Sequence, residues 1–170
     1  VQFSVAELNA YNKYNKFAEQ AEKEGYPMVA KLFRSVAFSE LMHSRNHATA
    51  IEGLGGKTQK VILKPVTVGT TQENLENSAK DERQDVVSMY ATFMAQAEKD
   101  GLRDAKTSFK YASDSELQHK QLLAKGLNPL GPKNVDYYVD VKSGETVEVH
   151  PGDALPQSKL IDGIYVKAAN

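Results

Sequence analysis

Ser39-Glu40-Leu41-Met42-His43 and Ser115-Glu116-Leu117-Gln118-His119 are two copies of one pattern, 76 residues apart. Each sets a carboxylate and an imidazole three residues apart. On a helix that is about 60° of arc, so both side chains reach one point beside it. A lone Glu-x-x-His arises freely on solvated helix faces. Here the same offset also relates Ala21-Glu-Lys-Glu-Gly25 to Ala97-Glu-Lys-Asp-Gly101, and Tyr14 and Phe17 to Tyr90 and Phe93. Three separated blocks at one offset mark a helix pair used twice.

Outward from these motifs the chain reads as helices. The first carries Ala10, Tyr14, Phe17, Ala18 and Ala21 at three- and four-residue spacing and ends near Gly25. Ser4-x-x-Glu7 at its start has the form of a capping box. Pro27 opens a second helix through Val29, Leu32, Phe33, Val36 and Leu41, closing at Gly53. The stretch from Gly53 to Gly69 holds the short β-prone runs Val61-Ile-Leu63 and Val66-Thr-Val68; its length predicts a crossover along the bundle. Thr70-x-x-Glu73 caps a third helix to about Asp100, and a fourth runs from about Arg103 to Lys125. The pattern predicts an all-α four-helix bundle over residues 1–128. From 129 to 170 Gly and Pro recur between the β-prone runs 136–140, 145–149 and 164–166, which predicts a small β-rich appendage.

Composition narrows the chemistry. At 170 residues, 41% hydrophobic and 25% charged, the chain is an ordinary globular domain with an appendage. A net charge of -1 and no basic block give no pull on nucleic acid or an anionic membrane. No apolar run approaches the roughly 18 residues of a spanning helix, which predicts a soluble chain. There is no cysteine, so disulfides, thiolate metal sites and cysteine nucleophiles are all excluded. Any metal site must use histidine and carboxylate. The chain opens at Val1 rather than methionine, as expected if a leader had been removed, and zero cysteine fits an oxidising compartment; a cytoplasmic location is the alternative.

The duplication brings Glu40, His43, Glu116 and His119 face to face, where buried charge is costly without a metal. The other two helices offer Glu7, 33 residues before Glu40, and Glu82, 34 residues before Glu116. In di-iron carboxylate bundles one glutamate from each of two helices joins a Glu-x-x-His from each of the others. Asp85 adds a seventh possible ligand. Glu7 has a second reading, as capping partner of Ser4. Tyr14 lies seven residues after Glu7 and is either a hydrogen-bond or proton partner of a ligand or a core tyrosine; Tyr90 inherits the same choice. His47 follows His43 by one turn and is expected beside the site or at the helix end rather than on a metal. His150 is expected to be exposed.

Taken together, Glu7, Tyr14, Glu24-Gly-Tyr26, Glu40-Leu-Met-His43, Glu82, Met89-Tyr90 and Glu116-Leu-Gln-His119 resemble the rubrerythrins. The resemblance implies a ferritin-like bundle with two iron ions, His43 and His119 each on one metal, Glu40 and Glu116 as bridges, and Glu7, Glu82 and Asp85 in the remaining positions. Manganese or zinc could substitute. It implies an oxidoreductase that reduces hydrogen peroxide to water, with Asp85, Tyr14 and Tyr90 nearest the chemistry; a ferroxidase or dioxygen-reducing protein, or a non-catalytic metal binder, is the alternative. The family usually has glutamate at position 85, so the shorter Asp85 departs from it. His43-Ser-Arg-Asn-His47 resembles an exported branch. The tail resembles the family's rubredoxin-like domain, but its four cysteine positions hold Asp140, Ser143, Leu155 and Ser158, which cannot form a tetrathiolate iron site. An ordered tail without iron is therefore expected, with Leu155 filling the vacated centre and an external electron donor required. A homodimer is expected, its tail docked on helices, as in a family whose tails lie near the partner's metal centre.

Overall fold

The computed structural model describes residues 2–58, 60–81, 84–128 and 133–168, with side chains outside 2, 81 and 84–87. Helices α1 (Gln2–Lys23), α2 (Pro27–Gly53), α3 (Thr71–Asp81), α4 (Gln84–Lys99) and α5 (Arg103–Gly126) precede strands β1 (Asp136–Asp140), β2 (Thr146–Val149) and β3 (Tyr165–Lys167). The fold is a ferritin-like helical bundle with a small antiparallel sheet. The expected third helix is described as α3 and α4.

The duplication is visible in the helix ends. Gly25 has φ 81° and Gly101 φ 73°. At the first, Tyr26 N–H donates to Ala21 O at 2.8 Å and Gly25 N–H to Glu22 O at 3.0 Å. At the second, Leu102 N–H donates to Ala97 O at 2.8 Å and Gly101 N–H to Glu98 O at 3.1 Å. Both are Schellman stops, which need a left-handed residue and so favour glycine. Thr70 and Glu73 exchange the reciprocal bonds of a capping box, at 2.8 and 3.2 Å. Ser4 does not cap α1. It lies inside the helix, and its hydroxyl pairs with Ser44 of α2 at 3.1 Å.

Residues 54–70 carry no helix or strand among those described and run beside α1, where Lys64 N–H donates to Asn9 Oδ1 at 2.8 Å. The sheet order is β2-β1-β3, with Tyr138 opposite Val147 and Asp140 opposite Tyr165. Among the described residues no helix is long and apolar enough to cross a membrane.

One core joins helices and tail. Tyr14, Phe17, Leu32, Phe33, Val36, Leu75 and Leu123 pack with Val135, Tyr137 and Ala168 of the tail. Polar ties flank this seam: Lys31 to Asp136 at 2.9 Å and Ser39 Oγ to Gly144 O at 2.6 Å. Thr146 N–H adds a bond to Gln118 Oε1 at 2.7 Å. The tail therefore docks on the helices of its own chain, which supply the packing that a sheet this small cannot.

In the turns that would carry the rubredoxin-type cysteines, side-chain oxygens receive the backbone N–H groups. Asp140 Oδ1 accepts from Lys142 and Ser143 at 2.7 and 3.0 Å, Ser143 Oγ from Glu145 at 3.2 Å, and Ser158 Oγ from Leu160 at 3.2 Å. Leu155 does not fill the vacated centre: it is 65% exposed. A Cβ built on Gly163 would sit 2.1 Å from Ser158 Oγ and 2.9 Å from Asp140 Oδ2, so polar side chains and backbone already occupy that space.

Candidate metal centre

Glu7 on α1, Glu40 and His43 on α2, and Glu116 and His119 on α5 are all buried and point into the bundle. Ligand atoms of Glu7, Glu40 and His43 lie within 4.8 Å of one another, and so do those of Glu40, Glu116 and His119. Glu40 belongs to both groups. Its Oε2 is 3.1 Å from His43 Nδ1 and its Oε1 is 3.3 Å from His119 Nδ1. One carboxylate thus spans two imidazoles, each from one copy of the repeated motif. Glu82 lies outside the described residues, and of Asp85 only the helical backbone is described.

Burial decides the electrostatics. It works against the charged form of Glu40, yet hydrogen bonding from His119 and His43 outweighs it and holds the carboxyl well below the usual range. Burial likewise opposes charge on His43, but the Glu40 partner wins and the imidazole is raised. For Glu7 the balance goes the other way: burial first, and then the Glu40 charge, push its carboxyl up and outweigh the lowering by His47, His43 and Tyr90. Tyr90 donates to Glu7 Oε1 at 2.5 Å, and burial with the Glu7 charge pushes the phenol far up, so it remains a proton donor.

A metal pair fits this donor set. His119 Nε2 is buried without a hydrogen-bond partner among the described residues, while Nδ1 faces the Glu40 carboxylate at 3.3 Å. Buried nitrogens of that kind cost roughly 1–3 kcal/mol unless something ligates them. Three buried carboxylates against two histidines also leave negative charge that divalent cations would offset. On the far side of His43, Nε2 donates to the Ser143 carbonyl at 3.1 Å. A carbonyl only accepts, so Nε2 keeps a proton, and Nδ1 faces the centre, where its own proton toward Glu40 would give way to a metal.

The Rubrerythrin family model matches residues 4–127. The chain belongs to the rubrerythrin family. It is 29% identical over 120 residues to rubrerythrin-1 of Clostridium acetobutylicum, covering 69% of this chain and 62% of that protein. Against nigerythrin of Nitratidesulfovibrio vulgaris it is 27% identical over 135 residues, covering 79% and 66%. The solved structure of mixed-valence nigerythrin superposes with a TM-score of 0.77 at 25% identity, over 86% of this chain and 73% of that one. The all-ferrous form gives 0.75 at 26% identity, over 85% and 73%. The chain spans about three fifths of the length of the first curated rubrerythrins it matches. Within that family match lie the carboxylate and histidine candidates for a metal site.

Of the two tyrosines singled out by the repeat, Tyr90 meets a candidate ligand carboxylate, while Tyr14 is wholly buried with its ring packed on Phe17 and Phe33. His150 is exposed beside Asp153. Sequence reasoning missed Ser108, whose hydroxyl lies 2.6 Å from His47 Nδ1, and the turn 143–144 against His43. Ser108 carries no signal by itself. The turn could have been sought only by asking what the unpaired face of a ligand histidine touches.

Proposed function

We propose that this rubrerythrin reduces hydrogen peroxide to water, using two iron ions and electrons from an external donor. The observation that supports it best is Glu40 set between His43 and His119, because one bridging carboxylate between two imidazoles suits a pair of metals and not a single one. Iron held there would supply the two electrons that cleavage of the O–O bond consumes. His43 and His119 would each take one metal, Glu40 and Glu116 would bridge, and Glu7, Glu82 and Asp85 would complete the set. Tyr90 holds a proton at Glu7 Oε1, from which it would serve the proton transfers that water formation requires. Tyr14, as the repeat partner of Tyr90, and Asp85, three residues after Glu82, complete the proposed catalytic group.

Without cysteine the tail offers no tetrathiolate iron site, so the electrons are assigned to a donor outside these 170 residues. A homodimer belongs to the same reading and is supported by family resemblance; light scattering at twice the chain mass tests it. So does an exported location, supported by the missing cysteines and the 43–47 run, and testable by fractionation. The activity test is anaerobic: reduced, iron-loaded protein is mixed with peroxide, beside a Glu40→Ala variant. Fast oxidation by the native chain, lost in the variant, supports the reading. Oxidation no faster than that of free ferrous ion overturns it.

A further inference from the structure

We propose that His47 is a positioning residue for Glu7, fixing how that carboxylate faces the metal pair; the inference rests on the dinuclear reading above. His47 is 4% exposed and lies one helical turn beyond His43 on α2. Its Nδ1 is 2.6 Å from Ser108 Oγ on α5. Its Nε2 has no hydrogen-bond partner among the described residues and lies 3.7 Å from Glu7 Oε1 on α1. A buried nitrogen left without a partner is costly, so one aimed at a carboxylate calls for a reason.

Neighbouring rings and Ser108 hold the ring in this orientation. It stacks on Tyr90 at 6.3 Å between centroids and is flanked by Phe3 at 5.9 Å and Phe109 at 5.4 Å. Ser108 seats the other edge. With the serine hydroxyl donating to Nδ1, the imidazole proton sits on Nε2 and faces Glu7. At 3.7 Å the contact is longer than a hydrogen bond, and a small turn of the carboxylate closes it to one. Tyr90 already donates to the same oxygen. With that contact closed, donors from α2 and α4 would both meet Oε1, and the second oxygen of Glu7 would be left for a metal. His47 itself is not placed to ligate: the carboxylate and imidazole groups that close within 4.8 Å do not include it.

The test uses cobalt(II) as probe, titrated into metal-free full-length protein and followed by visible absorption. The variants are His47→Leu, His47→Gln and Ser108→Ala. The far side of His47 borders an apolar cavity of about 250 Å³ lined by Phe3, Ile51, Leu54, Phe93 and Phe109, so leucine is accommodated there. The native chain should take up two cobalt ions. His47→Leu should weaken one of them by roughly 10–100-fold and alter its absorption bands. His47→Gln, which keeps an N–H donor, should recover much of both, and Ser108→Ala should shift them in the same direction by less. If the leucine variant does not fold, the serine variant carries the test. A folded His47→Leu or Ser108→Ala protein with native affinity and bands at both sites would overturn the inference. A native chain that binds no cobalt would instead overturn the dinuclear reading beneath it.

Discussion

Glu7 carries the clearest conflict between stability and function. A carboxylate in a buried site beside Glu40 is easier to protonate than in water, and its pKa lies above the ordinary 4.5. The folded metal-free chain therefore holds that proton more tightly than the unfolded chain does. It follows that this contribution to stability is present at low pH and is lost as pH rises through the folded value. Replacing Glu7 by glutamine keeps an acceptor for Tyr90 and removes the charge. The metal-free Glu7→Gln protein should melt higher than the native chain at neutral pH, on a scale of about 2–4 °C per kcal/mol for a chain of this size. The gap should close as pH is lowered. The same variant should lose a cobalt equivalent. A variant that melts lower at neutral pH would show that the buried charge is already compensated without metal.

At the scale of elements, the turn after β1 is the joint between tail and centre. Gly144 has φ 81°, and a Cβ there would lie 2.4 Å from His43 Nε2 and 2.9 Å from Ser39 Oγ. Alanine is thus opposed twice, by backbone strain and by the ring it would strike. Gly144→Ala should destabilise the chain by about 1–3 kcal/mol and loosen the tail, read as faster proteolysis between bundle and sheet. Native protease resistance in that variant would mean the tail is held chiefly by its apolar seam at Val135 and Tyr137. This joint was not legible in the sequence, whereas the helices were. Helix spacing, two Schellman glycines and the paired Glu-x-x-His motifs are local signals, repeated at one offset, and they put Glu7, Glu40, His43, Glu116 and His119 on the expected elements. Contacts between distant segments leave no such trace. Ser4 has the sequence form of a cap, yet its hydroxyl is claimed by Ser44 across the helix interface. Leu155 stands at a position read from a metal-bearing template, where Asp140, Ser143 and Ser158 satisfy the turn N–H groups and Gly163 fills the space left over.

For the whole molecule, the decisive fact is how many electrons one chain can hold. On the proposed reading a pair of irons would store two, the number that hydrogen peroxide takes on its way to water. A rubredoxin-type iron would store a third, but it requires four thiolates, and this chain has no cysteine. The tail nonetheless remains folded against the bundle, joined through the Ser143 carbonyl to His43 and through Tyr137 to the shared core. Its contact through Ser143 fixes the orientation of a candidate ligand histidine, and without cysteine it offers no tetrathiolate iron site. Chemically reduced, iron-loaded protein titrated anaerobically with peroxide should reach its endpoint at one equivalent per chain, and oxidation should produce no red thiolate-to-iron absorption. Further peroxide should be consumed only after an external reductant is supplied. An endpoint near one and a half equivalents per chain would reveal a third stored electron, and with it a redox site that the residues of this chain do not provide.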